Sequence, residues 1–394
     1  MLWGRRQSLC GLSGSGRVRG VKQESMPEGT SEQPIAWFGP HLAGTELEGL
    51  RDVLSRAYIN DGPLTRKFES RIAALIGRRH AVCVTSGTAA IALALMAAGI
   101  GAGDEVLVPD LTFVATANAV RLAGADVKLV DVEPIRLGLD PDAVEAALGP
   151  RTRAVIAVDV NGRGADYMSL ETTCRKFGLV LICDSAEALG SRFCGRMLGS
   201  FGLAACFSFS ANKTITAGQG GMIVTDDGAL CDRLRELKDQ GRRTGGTGGD
   251  DEHPVLGFNF KFTDLQAAVA LAQLDDLDSR LLKAKRRDEQ FAERLANQPG
   301  LQLMPQAEPG EVRQWTDVLI DDRTAVIAVL DAAKIGSRNF WHPVHRQHPY
   351  SANDARFPNS IDRSARGLWL PSRLDMTEVE IERVSTVIVA ALRH

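Results

Sequence analysis

Between residues 81 and 225 the chain alternates short apolar, β-rich runs with helical runs, and that rhythm constrains the fold more than any other feature. The apolar runs cover 81–84, 105–108, 127–132, 154–158, 179–183, 205–209 and 222–225. Helical patterns cover 88–99, 113–123, 140–148, 167–177 and 227–239. Many of the β-rich runs are continuously apolar rather than alternating, as in a sheet covered on both faces. Asp140-Pro141 marks a helix start, an N-cap followed by proline at the first helical position. The pattern predicts an α/β fold, with a seven-stranded, mostly parallel sheet flanked by helices in one large domain.

Helices at 45–57 and 66–76 precede the sheet, and one long helix is expected from about 263 to 296. Its acids and bases between 275 and 294 read as a solvated face. The runs 301–304 and 317–320 and a helix at 376–392 predict a smaller C-terminal α/β domain. The expected division is a disordered basic extension over 1–34, a large domain over 35–275 and a small domain over 276–394. The extension carries Arg5, Arg6, Arg17, Arg19 and Lys22 before its first acid, Glu24. It lacks the apolar core, roughly 7–15 residues long, of a signal peptide. Gly14-Ser15-Gly16 and Gly20 imitate a dinucleotide loop, but no strand precedes them and no helix follows.

Charge and cysteine usage narrow the function classes. Lys plus Arg is 46 against 49 for Asp plus Glu, a net charge of -3, so the basic excess of a nucleic-acid binder is missing. No run reaches the ~18 apolar residues of a membrane span. The 7 cysteines include no CxxC pair, which argues against a zinc ribbon or a secreted disulfide framework. Reduced thiols in a cytoplasmic protein are expected.

Three segments carry chemistry. In the first, Lys213 follows a buried strand and precedes the turn Gln219-Gly220-Gly221. A lysine in apolar surroundings is unusual without a task, although a snorkelling lysine at a strand end would look the same. In the second, Leu181-Ile182-Cys183-Asp184-Ser185-Ala186-Glu187, an acid ends an apolar strand. That is the carboxyl edge where open α/β sheets place their sites, and also a fitting helix cap. In the third, Ser86-Gly87-Thr88-Ala89 leads a strand into a helix whose free N–H groups suit a phosphate. A Schiff-base lysine, an anion for a pyridinium nitrogen and a phosphate cradle together point to pyridoxal 5'-phosphate. No metal is expected.

From about Trp37 onward the sequence resembles the DegT/DnrJ/EryC1/StrS sugar aminotransferases of fold type I. The resemblance rests on Gly39-Pro40, Asn60-Asp61-Gly62-Pro63, Ser86 to Ala90, the acid strand at 183–187, the lysine segment at 208–221 and Gly257 to Ala268. It implies Lys213 as the cofactor-bearing lysine and proton shuttle, and Asp184 as the pyridinium partner. It implies Glu187 beside the ring hydroxyl and Phe113 stacked on the ring. Thr88, Ala89 and Ser208 would hold the phosphate. Asn259 would reach it from a second subunit, which implies a homodimer. The implied reaction moves an amino group from L-glutamate, or glutamine, to a nucleotide-linked keto-sugar, expected to be a 4-keto-6-deoxyhexose, with ping-pong kinetics. Asn161-Gly162-Arg163 suggests the perosamine-synthase-like branch.

The chain departs from the family at Gln219 (usually Glu), Ser210 (commonly His), Asp159 to Gly162 (usually His-Leu-Tyr-Gly) and Lys261 (usually Arg). Related sugar dehydratases carry His in place of the lysine, so Lys213 disfavours that branch. Keto-cyclitols and 3-keto sugars remain alternative acceptors, and a non-catalytic cofactor-binding regulator is the alternative of another class. An NAD-dependent sugar enzyme would need a glycine-rich turn after the first strand, and Ser86-Gly87-Thr88 is not one. His342, His345 and His348 invite a metal reading, but Pro343 and Pro349 break any helix that would gather them. A structural loop or a substrate contact is expected there. The loop 244–249 reads either as a lid or as a flexible insertion.

Overall fold

The seven predicted strands pair into one sheet. The computed structural model describes residues 33–243, 252–306 and 308–393. From edge to edge the sheet order is His80–Val84, Gly221–Thr225, Ala204–Ser208, Val180–Asp184, Thr152–Val158, Glu105–Pro109 and Asp126–Val130. Gly221–Thr225 runs antiparallel to both neighbours, and the pairings among the other strands are parallel. The apolar runs are continuous because both faces are covered. In Thr152–Val158, Ala154, Ile156 and Val158 join one core cluster, while Val155 and Ala157 join another.

Helix Gly87–Ala97 is buried along nearly its whole length, as its run of alanines and leucines permits. Asp140 caps helix Pro141–Ala147 by accepting the Asp142 N–H at 3.0 Å. The helix expected over 263–296 is two helices, Asp264–Leu274 and Leu277–Leu295. The chain leaves helical geometry at Asp276, where ψ is 14°. Helix Pro63–Ile76 starts earlier than its predicted 66, and Pro63 at the first helical position was the available signal. Four short strands, Leu301–Leu303, Asp317–Ile320, Gly367–Trp369 and Arg338–Asn339, form a second, antiparallel sheet in that order. Ile35 pairs with Ile335, so the first described residues join this part of the chain. The expectations for residues 1–32 and for the loop 244–249 lie outside the described residues.

One clasp explains why the segment from Gly257 to Ala268 is so distinctive. Asp264 opens its own helix, with Thr263 and Gln266 forming a capping box. Its carboxylate also accepts the Gly62 N–H (3.0 Å), the Thr65 N–H (2.9 Å), the Thr65 hydroxyl (2.8 Å) and the Leu64 N–H (3.2 Å). It therefore caps helix Pro63–Ile76, whose own cap residue, Gly62, has no side chain for the task. Asp264→Ala would strand those buried donors. We expect a loss of about 2–4 kcal/mol in denaturant-unfolding stability, with Asp264→Asn losing less.

Candidate active site

The parallel strands deliver their following residues to one edge, as open α/β sheets do. Asp184 and Ser208 end their strands, Ser86 and Asp159 follow theirs, and Thr112 and Phe113 follow Pro109. These residues line a cavity of about 480 Å³ together with Lys213, Glu187, Trp37, Trp315, Arg338 and Trp341.

Lys213 Nζ lies 3.1 Å from Glu187 Oε1, with side chains only 11% and 9% exposed. The same ammonium stands 5.4 Å from the Trp315 ring centroid. Glu187 is held from behind, where its Oε2 accepts the Asn161 N–H at 3.0 Å. Asn161 sits at φ 53°, a left-handed conformation that asparagine tolerates better than most residues. Its side-chain amide donates to Trp315 O at 2.7 Å and to Asp317 Oδ2 at 2.8 Å, and its Oδ1 accepts the Trp315 N–H at 2.8 Å. Arg163 grips Asp317 through two bonds, of 2.6 and 2.7 Å, and is fully buried. Asn161-Gly162-Arg163 therefore anchors the cavity wall to the second sheet and does not line the cavity.

Asp184 accepts the Thr116 hydroxyl at 2.7 Å through Oδ2 and the Ala186 N–H at 3.2 Å through Oδ1. Burial pushes its pKa up, the Thr116 and Ala186 hydrogen bonds pull it down, and the Glu187 charge adds to the rise. A buried carboxylate with spare acceptor capacity suits a protonated ring nitrogen. Asp159, where the family usually has histidine, lies fully buried beside it. It accepts the Tyr167 and Ser185 hydroxyls, each at 2.6 Å. Desolvation pushes Asp159 up from 3.8 to about 7, and the Asp184 charge contributes.

That shift has a stability consequence. An acid that keeps its proton longer when folded stabilises the fold at low pH and loses that contribution as the pH rises. Relative to Asp159→Asn, the wild-type chain should lose on the order of 4 kcal/mol between pH ~4 and ~7. Chemical denaturation of both proteins across that range is the check.

The segment expected to cradle a phosphate is built largely from backbone. Ser86 caps helix Gly87–Ala97 by accepting the Ala89 N–H at 3.1 Å. The Ala89 amide donates to that cap, and Ala89 does not line the cavity. Gly87, Thr88 and Ser208 do line it. Close approach makes glycine necessary at Gly221, where a Cβ would stand 2.2 Å from Ser86 O. The half-exposed Phe113 ring forms part of the cavity wall. First-turn N–H donors, an acceptor-only carboxylate, an amine and an aromatic face fit the phosphate, ring nitrogen, aldehyde and ring of pyridoxal phosphate.

The structure therefore brings together Lys213, Asp184, Glu187, Thr88, Phe113 and Ser208. It does not bring in Asn259, which is exposed outside the cavity of this chain and pairs with Asp239 through its backbone. Among the departures, Asp159, Ser210 and Gln219 line the cavity, whereas Lys261 is bound to Asp239 at 2.6 Å. The histidines do not line it either. His345 is buried with Nδ1 2.6 Å from Asp110 and Nε2 3.0 Å from Asp354, while His342 and His348 are exposed. Among the described residues no cluster could hold a metal ion, and no helix is long and apolar enough to cross a membrane. Sequence reasoning missed Trp37 and Trp315, and Thr116, which holds Asp184; the resemblance placed the stretch 338–350 near the site without singling out Arg338 or Trp341.

Comparison with known proteins agrees with this geometry. Residues 40–389 match the DegT/DnrJ/EryC1/StrS aminotransferase family. The GDP-perosamine synthase of Caulobacter vibrioides is 36% identical over 365 residues, covering 89% of this chain and 96% of that protein. Among solved structures, S. venezuelae DesV superposes with a TM-score of 0.87 at 30% identity, over 92% of this chain and 99% of DesV. DesI, solved in the presence of its TDP-sugar product, gives 0.84 at 33% identity, over 91% and 93%.

Proposed function

The chain belongs to the DegT/DnrJ/EryC1/StrS aminotransferase family, a pyridoxal-phosphate-dependent sugar transaminase, and from that premise we propose that it moves the amino group of L-glutamate to a nucleotide-linked 4-keto-6-deoxyhexose. The carrying observation is Lys213, paired with Glu187 at 3.1 Å, in one cavity with the buried carboxylate of Asp184. The cofactor supplies an electron sink for the carbanion formed at the donor's α-carbon.

In this reading Lys213 moves the proton between that α-carbon and the cofactor's C4′. Asp184 would keep the ring nitrogen protonated, and Glu187, which pairs with Lys213, would lie beside the ring hydroxyl. Phe113 covers one ring face. Gly87, Thr88 and Ser208 would hold the phosphate at the start of helix Gly87–Ala97. Residues 35–275 form the large domain and 276–394 the small one, which contributes Trp315 and Arg338. Two copies share their sites through Asn259 in the cytoplasm. Leu42, Leu47 and Leu54, each more than half exposed, supply apolar surface for that pairing.

The name of the Caulobacter relative and the sugar product of DesI support a nucleotide-sugar acceptor. The test offers GDP- and TDP-linked 4-keto and 3-keto sugars and a keto-cyclitol to the enzyme pre-treated with glutamate. An aminated 4-keto-6-deoxyhexose, identified by mass, is the expected product. Amination of the cyclitol alone, or of no acceptor, overturns the proposal.

A further inference from the structure

We propose that His345 is a positioning residue for amino transfer: it clasps Asp110, and so fixes two parts of the cavity lining, Phe113 and Trp341, relative to each other. The proposal rests on the functional reading above and deepens it. His345 and Asp110 are both buried, and neither lines the cavity. The Asp110 carbonyl accepts the Val344 N–H at 2.8 Å. Its Oδ1 accepts the His345 N–H at 2.7 Å, and the ring Nδ1 lies 2.6 Å from its Oδ2.

The far side of the ring is engaged as well. His345 Nε2 lies 3.0 Å from Asp354 Oδ1, and Arg346 holds the other oxygen of Asp354 at 2.6 Å. The ring lies nearly parallel to that of Phe357, with 4.4 Å between centroids. An ionised carboxylate only accepts, so each of these ring bonds needs a proton on the nitrogen that faces it. Burial pushes the Asp110 carboxyl up, and the His345 amide and ring pull it back.

The clasp joins segments 235 residues apart, and each leads straight to the cavity. Asp110 follows strand Glu105–Pro109, and its own N–H is tied to Val130 O at 2.9 Å. Two residues on, Thr112 bonds Thr116 at 2.9 Å, and Thr116 holds Asp184. Three residues on is Phe113. On the other side His345 follows Trp341 by four residues. The Trp341 carbonyl accepts the Ser364 hydroxyl at 2.7 Å, and its ring stands 5.1 Å from that of Trp369. Tyr350 adds a second tie in the same direction, 2.6 Å from Asn118 in the helix after Phe113. Without the ring, Asp110 would be a buried carboxylate with no cation against it. The strand end that carries Thr112 and Phe113 would then have to shift.

The test compares wild type with His345→Asn, His345→Gln and Asp110→Asn, each purified with its cofactor. An asparagine amide nitrogen stands near the place of a histidine Nδ1, and a glutamine amide reaches the place of Nε2. His345→Asn therefore keeps a donor for Asp110, and His345→Gln does not. The readouts are single turnover with glutamate, visible circular dichroism of the bound cofactor, and hydrogen exchange of residues 111–116. In His345→Gln the limiting rate should fall about 30-fold, while glutamate half-saturation changes less than about 3-fold. The dichroism should shrink, and the 111–116 amides should exchange about 10-fold faster. Asp110→Asn, which keeps an acceptor for the His345 N–H, should copy these changes. His345→Asn should recover most of the rate and the slow exchange. Should His345→Gln fail to fold, Asp110→Asn against His345→Asn makes the same comparison. A rate and an exchange within about 2-fold of wild type in His345→Gln or Asp110→Asn overturn the proposal. So does equal loss in His345→Asn and His345→Gln, which would make the ring a packing element alone. A wild-type chain that takes up no cofactor defeats the functional reading, and the exchange of 111–116 still tests the clasp.

Discussion

Lys213→Ala is expected to lower amino transfer by at least about 10⁵-fold, the scale seen when a covalent catalytic group is removed. Among the described residues, Lys213 is the one lysine lining the cavity. In the proposed mechanism, losing it would remove both the point of cofactor attachment and the base that moves the α-proton. The substitution also leaves Glu187 without its cation, so part of any loss could come from a disturbed wall. Lys213→Arg separates the two effects. It retains a cation for Glu187, but a guanidinium does not give up its proton in a protein. Single-turnover assays with glutamate should find both variants inactive. Turnover in either variant within about 100-fold of wild type would remove Lys213 from the chemistry.

Asp184→Asn should cost about 10³-fold in the limiting rate, comparable to losing a central electrostatic group. The amide oxygen can still accept from Thr116 and Ala186, so the fold should persist. What would disappear, in the proposed mechanism, is the anion that keeps the ring nitrogen protonated. Asp159 cannot substitute for it. Its oxygens already serve Tyr167 and Ser185, and burial holds it near neutrality at about 7. The check is the rate of α-deuterium exchange from labelled glutamate, measured beside thermal stability. An unchanged exchange rate in a folded variant would remove Asp184 from that role.

The sheet was readable because each strand sends alternate residues into two apolar clusters, which makes its sequence continuously apolar. The helix starts at Asp140-Pro141 and Thr263 were readable because their caps are local. The site was readable where a residue sits at a strand's carboxyl end, as Asp184 and Ser208 do. Partners distant in sequence left no local trace. The Asp317 carboxylate that Arg163 grips lies 154 residues away, so nothing near Arg163 in the sequence announces the pair. At Ala89 the sequence suggests a phosphate donor, and the structure adds that its N–H donates to the Ser86 hydroxyl. Trp37, Trp315 and Arg338 meet through the folding of the second sheet onto the cavity, which no spacing in the sequence encodes.

The most direct test of the account is the location of the cofactor. Enzyme purified with its cofactor would be treated with borohydride, digested and mapped by peptide mass. The account predicts a reduced pyridoxyl-phosphate group on Lys213 alone, and none on that peptide in Lys213→Arg. The group on another lysine, or a protein that carries no such group, would contradict it.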